Sequence, residues 1–158
     1  ALLTTVPALW LESSLLASMV AVGVLLPEVL WNVGFFGQLL TGRRITGLTD
    51  YMFDPHNPLY LRALSLFHVF LPVMLLWMIH VLGYAPAAWI AQTALAWVVL
   101  PLTYFFTHPE ENVNWVFGPG AKPRKRIPPL IYLGLLMIGF PVLVYLPTHL
   151  LLQMLFKA

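Results

Sequence analysis

Residues 63–109 read ALSLFHVFLPVMLLWMIHVLGYAPAAWIAQTALAWVVLPLTYFFTHP and contain no Asp, Glu, Lys or Arg. A second stretch without these residues runs from position 127 to position 156. Both exceed the roughly 20 apolar residues that a helix needs to cross a bilayer. Inside the first stretch, the tight turn GYAP at 83–86 separates two apolar segments. These stretches predict membrane-spanning helices rather than the core of a soluble domain.

The composition of the whole chain supports the same conclusion. Of its 158 residues, 60% are hydrophobic and 9% are charged, whereas a soluble domain carries roughly 25% charged residues. A water-exposed surface cannot be built from so few charges. The chain has no cysteine, which excludes disulfides, iron–sulfur clusters and thiolate metal sites.

Turn-forming residues divide the chain into four apolar segments, so we predict an all-α integral membrane protein with about four proline-kinked transmembrane helices. The predicted spans are residues 14–40, 59–82, 87–107 and 130–155, within one transmembrane domain of residues 1–158. Each predicted span contains proline, at Pro27, Pro72, Pro101, Pro141 and Pro147. A proline in a helix leaves a carbonyl without its donor, and inside a bilayer that carbonyl must find another partner.

The positions of the basic residues predict the orientation. Four crossings place both termini on one side and the loops 41–58 and 108–129 on the other. Those loops and the start of the second helix hold seven of the eight basic residues, Arg43, Arg44, Arg62, Lys122, Arg124, Lys125 and Arg126. By the positive-inside rule the loops are cytoplasmic and the termini lie outside. The basic segment at 118–126 predicts contact with anionic lipid headgroups, and no nucleic acid is expected.

Glu28 is the acidic residue within a predicted span, and an unpaired charge there costs about 3 kcal/mol or more. It must therefore be protonated or have a partner. Asn32 lies one helical turn further along the same face. Counted from the cytoplasmic ends at 1.5 Å per residue, Glu28 and His68 lie roughly 18 and 14 Å deep, so His68 is the expected partner. The pair could be a structural clamp between two helices, or a site for proton handling, catalysis or ligand binding.

His80 and His149 lie near the outer ends of the second and fourth spans. Two histidines at equal depth on different helices could ligate haem or a pigment metal. No spacing motif supports this role, and both side chains could point to the membrane interface instead. They are candidate cofactor ligands, although haem or pigment is not what the sequence favours.

The two cytoplasmic loops combine carboxylates and imidazoles, with Asp54 and His56 in the first and His108 and Glu111 in the second. These side chains suit a divalent metal or an acid/base pair, but their spacing matches no fixed ligand motif such as HExxH. The alternative is loop structure, in which Asp54 begins a turn and acidic residues cap helices or pair with arginine. In either case we expect residues 50–56 and 108–114 to pack together as one ordered cap.

Several strings resemble uncharacterised bacterial polytopic membrane proteins. They are LTDYMFDP (48–55), LSLFHVFLP (64–72), THPEENVNWVFGPG (107–120) and VYLPTHLLL (144–152). The similarity covers most of the chain. It implies a bacterial source, and hence the cytoplasmic (inner) membrane, but it brings no activity with it.

Two functions from different classes agree with the sequence. Because the chain has no recognised catalytic motif and little mass outside the membrane, we expect an accessory or structural subunit. It would pack in a larger bacterial complex, for example a photosynthetic or respiratory one, or against copies of itself. The alternative is a membrane-embedded enzyme or carrier acting on a lipid, quinone or isoprenoid. Its site would be Glu28 with His68, or the Asp, His and Glu residues of the loops.

Overall fold

The computed structural model describes residues 2–119 and 127–156, most of which are helical. Four helical stretches are long and apolar enough to cross a membrane, namely Ser14–Thr41, Leu59–Leu82, Ala88–Phe106 and Pro129–Leu155. We call them spans one to four. Each matches its predicted segment to within one residue at either end, so the predicted all-α architecture is confirmed. A short helix, Leu2–Trp10, precedes span one and packs against it.

Span one is the central helix and contacts spans two, three and four. In its most apolar segment 44% of the residues are buried, compared with 22% in span two and 11% in each of the others. Ala17, Ser18 and Ala21 are fully buried on it, because small side chains allow helices to approach closely in a membrane. Span one begins after Ser13, whose hydroxyl caps the first turn, and ends at Gly42 in the left-handed conformation.

Span two consists of two helices, Leu59–Leu64 and Phe67–Leu82, joined by a tighter turn. Pro72 lies inside the second helix and has no N–H, so the carbonyl of His68 four residues earlier lacks a helical donor. The side-chain amide of Asn32 in span one donates to that carbonyl at 2.7 Å. The bond satisfies the group that the proline leaves open and ties span one to span two.

Span four changes its winding halfway along. Its α-helix Pro129–Phe140 is followed by a π-helical turn, Pro141–Tyr145, and then by the α-helix Leu146–Leu155. The carbonyl of Met137 would normally accept from residue 141, which is proline. The indole N–H of Trp97 in span three donates to it instead, at 2.8 Å. A side chain from a neighbouring span again replaces a backbone donor.

The first loop, residues 42–58, folds back against the end of span one. Gly34 and Gly37 face it, and a Cβ on either glycine would collide with the side chain of Thr46 or Ile45, respectively. At the opposite end of the bundle, the turn between spans two and three lies against span one, where the hydroxyl of Ser18 accepts from the Ala85 N–H at 2.9 Å. The bundle therefore has a loop end, where residues 42–58 pack against span one, and a turn end, where the turn at residues 83–86 lies against it.

Candidate functional site

Glu28 and His68 meet across spans one and two, as the sequence predicted. The Nδ1 atom of His68 lies 2.6 Å from Oε2 of Glu28. The Glu28 side chain is 10% exposed and that of His68 is 24% exposed. The carboxyl group is therefore enclosed by protein, while the imidazole keeps a partly open side.

Neighbouring residues fix the orientation of this pair. Asn32 donates both to the Glu28 carbonyl at 2.8 Å and to the His68 carbonyl at 2.7 Å, so it holds the two backbones together. The indole of Trp31 stacks on the His68 ring, with centroids 4.7 Å apart and planes inclined by 27°. The imidazole is thus held at its face by an aromatic ring and at Nδ1 by a carboxyl group.

The pair lines a partly open cavity of about 890 Å³, which we call the main cavity. Spans one, two and four and both long loops contribute to its wall. The lining residues are Leu26, Pro27, Glu28, Leu30, Trp31, Gly47, Leu48, Tyr51, His68, Trp115, Leu143 and Val144. Most of them are apolar, and three are large aromatic residues. A mainly apolar cavity with a few converging polar groups is typical of a small-molecule site.

Trp115 of the second loop lines the main cavity, and the backbone that places it there has an unusual conformation. Asn112, Asn114 and Trp115 all have positive φ angles, of 41°, 53° and 57°. Such a conformation costs of order 1–3 kcal/mol for a non-glycine residue and persists where the surroundings enforce it. The Asn112 side chain holds the turn by donating to the Gly118 carbonyl and accepting from the Phe117 N–H.

A second cavity, of about 620 Å³, lies between spans one, three and four. It shares Pro27 and Trp115 with the main cavity, and Gln92 and Tyr145 also line it. Trp115 therefore stands at the boundary of two cavities. The indole of Trp115 lines both cavities, which explains why a bulky residue is kept in the left-handed backbone conformation.

The four predicted metal ligands do not assemble into a metal centre. In residues 2–119 and 127–156 no group of three or more His, Asp or Glu side chains is placed to hold a metal ion. Asp54 accepts from the His56 backbone N–H at 2.9 Å and contacts the His56 ring at 2.8 Å. These contacts hold the pKa of Asp54 below its ordinary value, mainly through the backbone N–H. His108 and Glu111 are exposed on the other loop. The Asp54 carboxylate thus stabilises a turn within its own loop.

Both long loops contribute an aromatic residue to the wall of the main cavity. Tyr51 of the first loop and Trp115 of the second both line the main cavity. On the outer side, Arg44 forms an ion pair with Asp50, and its guanidinium lies beside Gly47. The two loops therefore share the wall of the main cavity through Tyr51 and Trp115, whereas direct packing of residues 50–56 on residues 108–114 stays a prediction.

His80 and His149 take up different environments. His149 is buried, and its Nδ1 lies 2.6 Å from the hydroxyl of Tyr84. Burial raises the pKa of Tyr84 to about 12, so this phenol keeps its proton and shares a hydrogen bond with the imidazole. His80 is exposed. The two histidines that the sequence offered as candidate cofactor ligands therefore differ, since His149 has a phenol partner and His80 lies at the surface.

Two features of the site were not recognised in the sequence. The aromatic residues Trp31, Tyr51 and Trp115 surround the polar pair, and the first of them could have been inferred because it lies between Glu28 and Asn32. The second feature is the link from Asn32 to the His68 carbonyl, which the position of Pro72 could have indicated. The predicted lipid-contact segment at 118–126 lies mostly outside the described residues.

No protein-family model, curated protein or solved structure matches this chain.

Proposed function

We propose that this chain is a membrane-embedded carrier or enzyme that binds an amphipathic, lipid-soluble molecule in the main cavity, with its polar head at the Glu28–His68 pair. The class of molecule is a lipid, quinone or isoprenoid. The observation that carries the proposal is the 2.6 Å contact between a carboxyl group and an imidazole in the wall of an apolar cavity of about 890 Å³. An intramembrane ionisable pair beside a cavity is more consistent with a ligand than with a clamp buried between helices.

The pair has the chemistry of an oriented acid/base group. A carboxyl group on one ring nitrogen fixes the direction of the imidazole, which leaves the other nitrogen for a ligand. His68 is therefore the residue that contacts the ligand, and Glu28 and Trp31 position it. The apolar lining from Leu26, Leu143 and Val144 accommodates a hydrocarbon tail.

The proposal predicts that the protein, purified in mild detergent, retains a lipid-soluble molecule, and that Glu28→Gln and His68→Ala reduce this retention by roughly tenfold or more. The reason is that hydrogen bonds involving charged groups contribute about 1.5–3 kcal/mol. Mass spectrometry of organic extracts from equal amounts of wild-type and variant protein measures the retention.

His80→Ala is the matched control because His80 lies on the same span but is exposed. It should retain as much of the molecule as the wild type does. Glu28→Gln preserves size and a hydrogen-bonding amide, so a normal elution profile and circular dichroism spectrum show that its fold is intact. Equal retention by the wild type and by a folded Glu28→Gln variant would contradict the proposal.

A second candidate function, that of an accessory subunit or homo-oligomer, is favoured by the low burial of spans three and four. Only 11% of the most apolar segment in each is buried by the chain itself, so lipid or another protein covers the rest. The mass of the particle in native mass spectrometry tests this proposal. A value corresponding to two or more chains, or to this chain with another protein, supports it, and a single chain argues against it.

We further propose a bacterial inner-membrane location with both loops in the cytoplasm. The distribution of basic residues supports it, since seven of eight belong to the loops or to the start of span two.

A further inference from the structure

We infer that the ligand of the main cavity has a neutral ring head with carbonyl oxygens, as in a quinone, rather than an anionic headgroup or a hydroxyl donor. This inference rests on the proposed function and narrows its ligand class. Three features of the site support it: the hydrogen-bonding state of His68, the charge of the cavity wall and the aromatic residues in that wall.

His68 and Glu28 share a proton across their 2.6 Å contact. A net charge is costly in a low-dielectric site, so a pair with no net charge is favoured there. Two arrangements satisfy this condition. In one, an imidazolium donates from Nδ1 to a carboxylate; in the other, a carboxylic acid donates to Nδ1 of a neutral imidazole. In both arrangements Nε2 of His68 carries a hydrogen and acts as a donor.

The hydrogen on Nε2 of His68 is available to a ligand in the main cavity. Within the described residues, His68 makes its side-chain hydrogen bond through Nδ1, and Nε2 has no acceptor. The imidazole is the more exposed member of the pair and lines the main cavity. Tyr51 adds a second donor to the same wall, because its oxygen accepts from Trp31 at 3.3 Å and its own hydrogen has no acceptor among the described residues. A ligand with two acceptor oxygens fits two such donors.

The charge of the cavity wall is unfavourable for an anionic head. The lining residues include one acidic residue, Glu28, and no lysine or arginine. Arg44, whose guanidinium lies beside the lining residue Gly47, is already paired with Asp50. A phosphate would therefore meet a Glu28–His68 pair of zero net charge with no further lysine or arginine in the lining to compensate it, which is unfavourable in a mainly apolar cavity.

The aromatic residues of the cavity wall favour a ligand with a flat ring. Trp31, Tyr51 and Trp115 line the cavity, and aromatic side chains bind flat rings by offset or edge-to-face stacking. A ring with two carbonyls uses both the aromatic wall and the two donors. A linear alcohol or an isoprenoid hydrocarbon uses neither feature fully.

A competition experiment tests the inference. Detergent-solubilised protein is incubated with decyl-substituted benzoquinone, decylbenzene and decyl phosphate at equal concentrations, and the bound molecules are quantified by mass spectrometry after gel filtration. We expect the quinone to exceed each of the other probes by about tenfold, as one to two net hydrogen bonds would give. His68→Phe should reduce the preference for quinone over decylbenzene, because one of the two donors is lost, whereas His80→Phe should keep the full preference.

The possible failures are distinguishable. If wild-type protein binds none of the probes above the level found in empty detergent micelles, the proposed function itself is wrong. If the probes bind but the quinone is not preferred, or if the quinone preference in His68→Phe is as large as in the wild type, the inference is wrong and the proposed function stands. A preference for the reduced decyl hydroquinone over the quinone, measured under a reducing buffer, would also overturn the inference.

Discussion

At the scale of single residues, Asn32 links the fold to the site. Its amide donates to the carbonyl that Pro72 leaves without a partner and also to the Glu28 carbonyl one turn earlier. Because the acceptor on span two belongs to His68, the same bond that satisfies the kink also sets the height of the imidazole beside Glu28. Structure and chemistry depend on one side chain here.

This dependence predicts a coupling between Asn32 and Pro72. Asn32→Ala should destabilise the protein, since the His68 carbonyl loses its donor in an apolar setting. In a Pro72→Ala background the helix supplies its own N–H, so the same substitution should cost about 1 kcal/mol less. Unfolding in mixed detergent micelles, followed by circular dichroism for the four proteins of the cycle, measures the difference.

Pro101→Ala is the control for that cycle because Pro101 belongs to span three. Its effect should add to that of Asn32→Ala without coupling. An Asn32 penalty that is the same with and without Pro72 would show that the bond to His68 contributes nothing to stability.

At the scale of elements, the four spans could be predicted because long uncharged segments have few alternatives to crossing a membrane. The pairing of Glu28 with His68 could also be predicted, since helical rise converts sequence position into depth. The loop site could not, because a carboxylate near a histidine has the same appearance whether it binds a metal or a backbone N–H. Asp54 has the second role.

The wall of the main cavity was likewise beyond prediction. Trp115 reaches it only because Asn112 and Asn114 adopt left-handed conformations, and nothing in the string NVNW specifies the direction in which the loop then turns. Tertiary packing against span three, through the bond from Asn114 to Thr103 at 3.0 Å, decides it.

At the scale of the whole molecule, the main cavity is lined by the polar pair and by residues of the two long loops, while Tyr84 and His149 belong to the turn end. In the proposed orientation, the main cavity is covered by loops on the cytoplasmic side. A lipid-soluble ligand would then reach it through the membrane rather than from water.

The orientation predicts a pattern of chemical labelling. Since the chain has no cysteine, single cysteines at His56, Glu110 and Ala87, all exposed positions, are unique reporters. A membrane-impermeant maleimide should label Ala87→Cys in intact bacterial cells, and should label His56→Cys and Glu110→Cys only after permeabilisation. Labelling of the two loop positions from opposite sides would contradict four crossings, and labelling of both from outside would reverse the orientation.

The π-helical turn at Pro141–Tyr145 makes span four tolerant of one kind of deletion. Such a turn holds about one more residue than an α-helical turn does for the same full rotation. Loss of a single residue from it, such as the exposed Val142, would restore regular α-helical winding and keep the angular phase of the later positions, so Thr148 and His149 would stay buried. Loss of Leu146 from the following α-helix would instead rotate these two side chains by about 100°, away from the bundle. A deletion should therefore be tolerated better inside the π-helical turn than at the start of the helix that follows it.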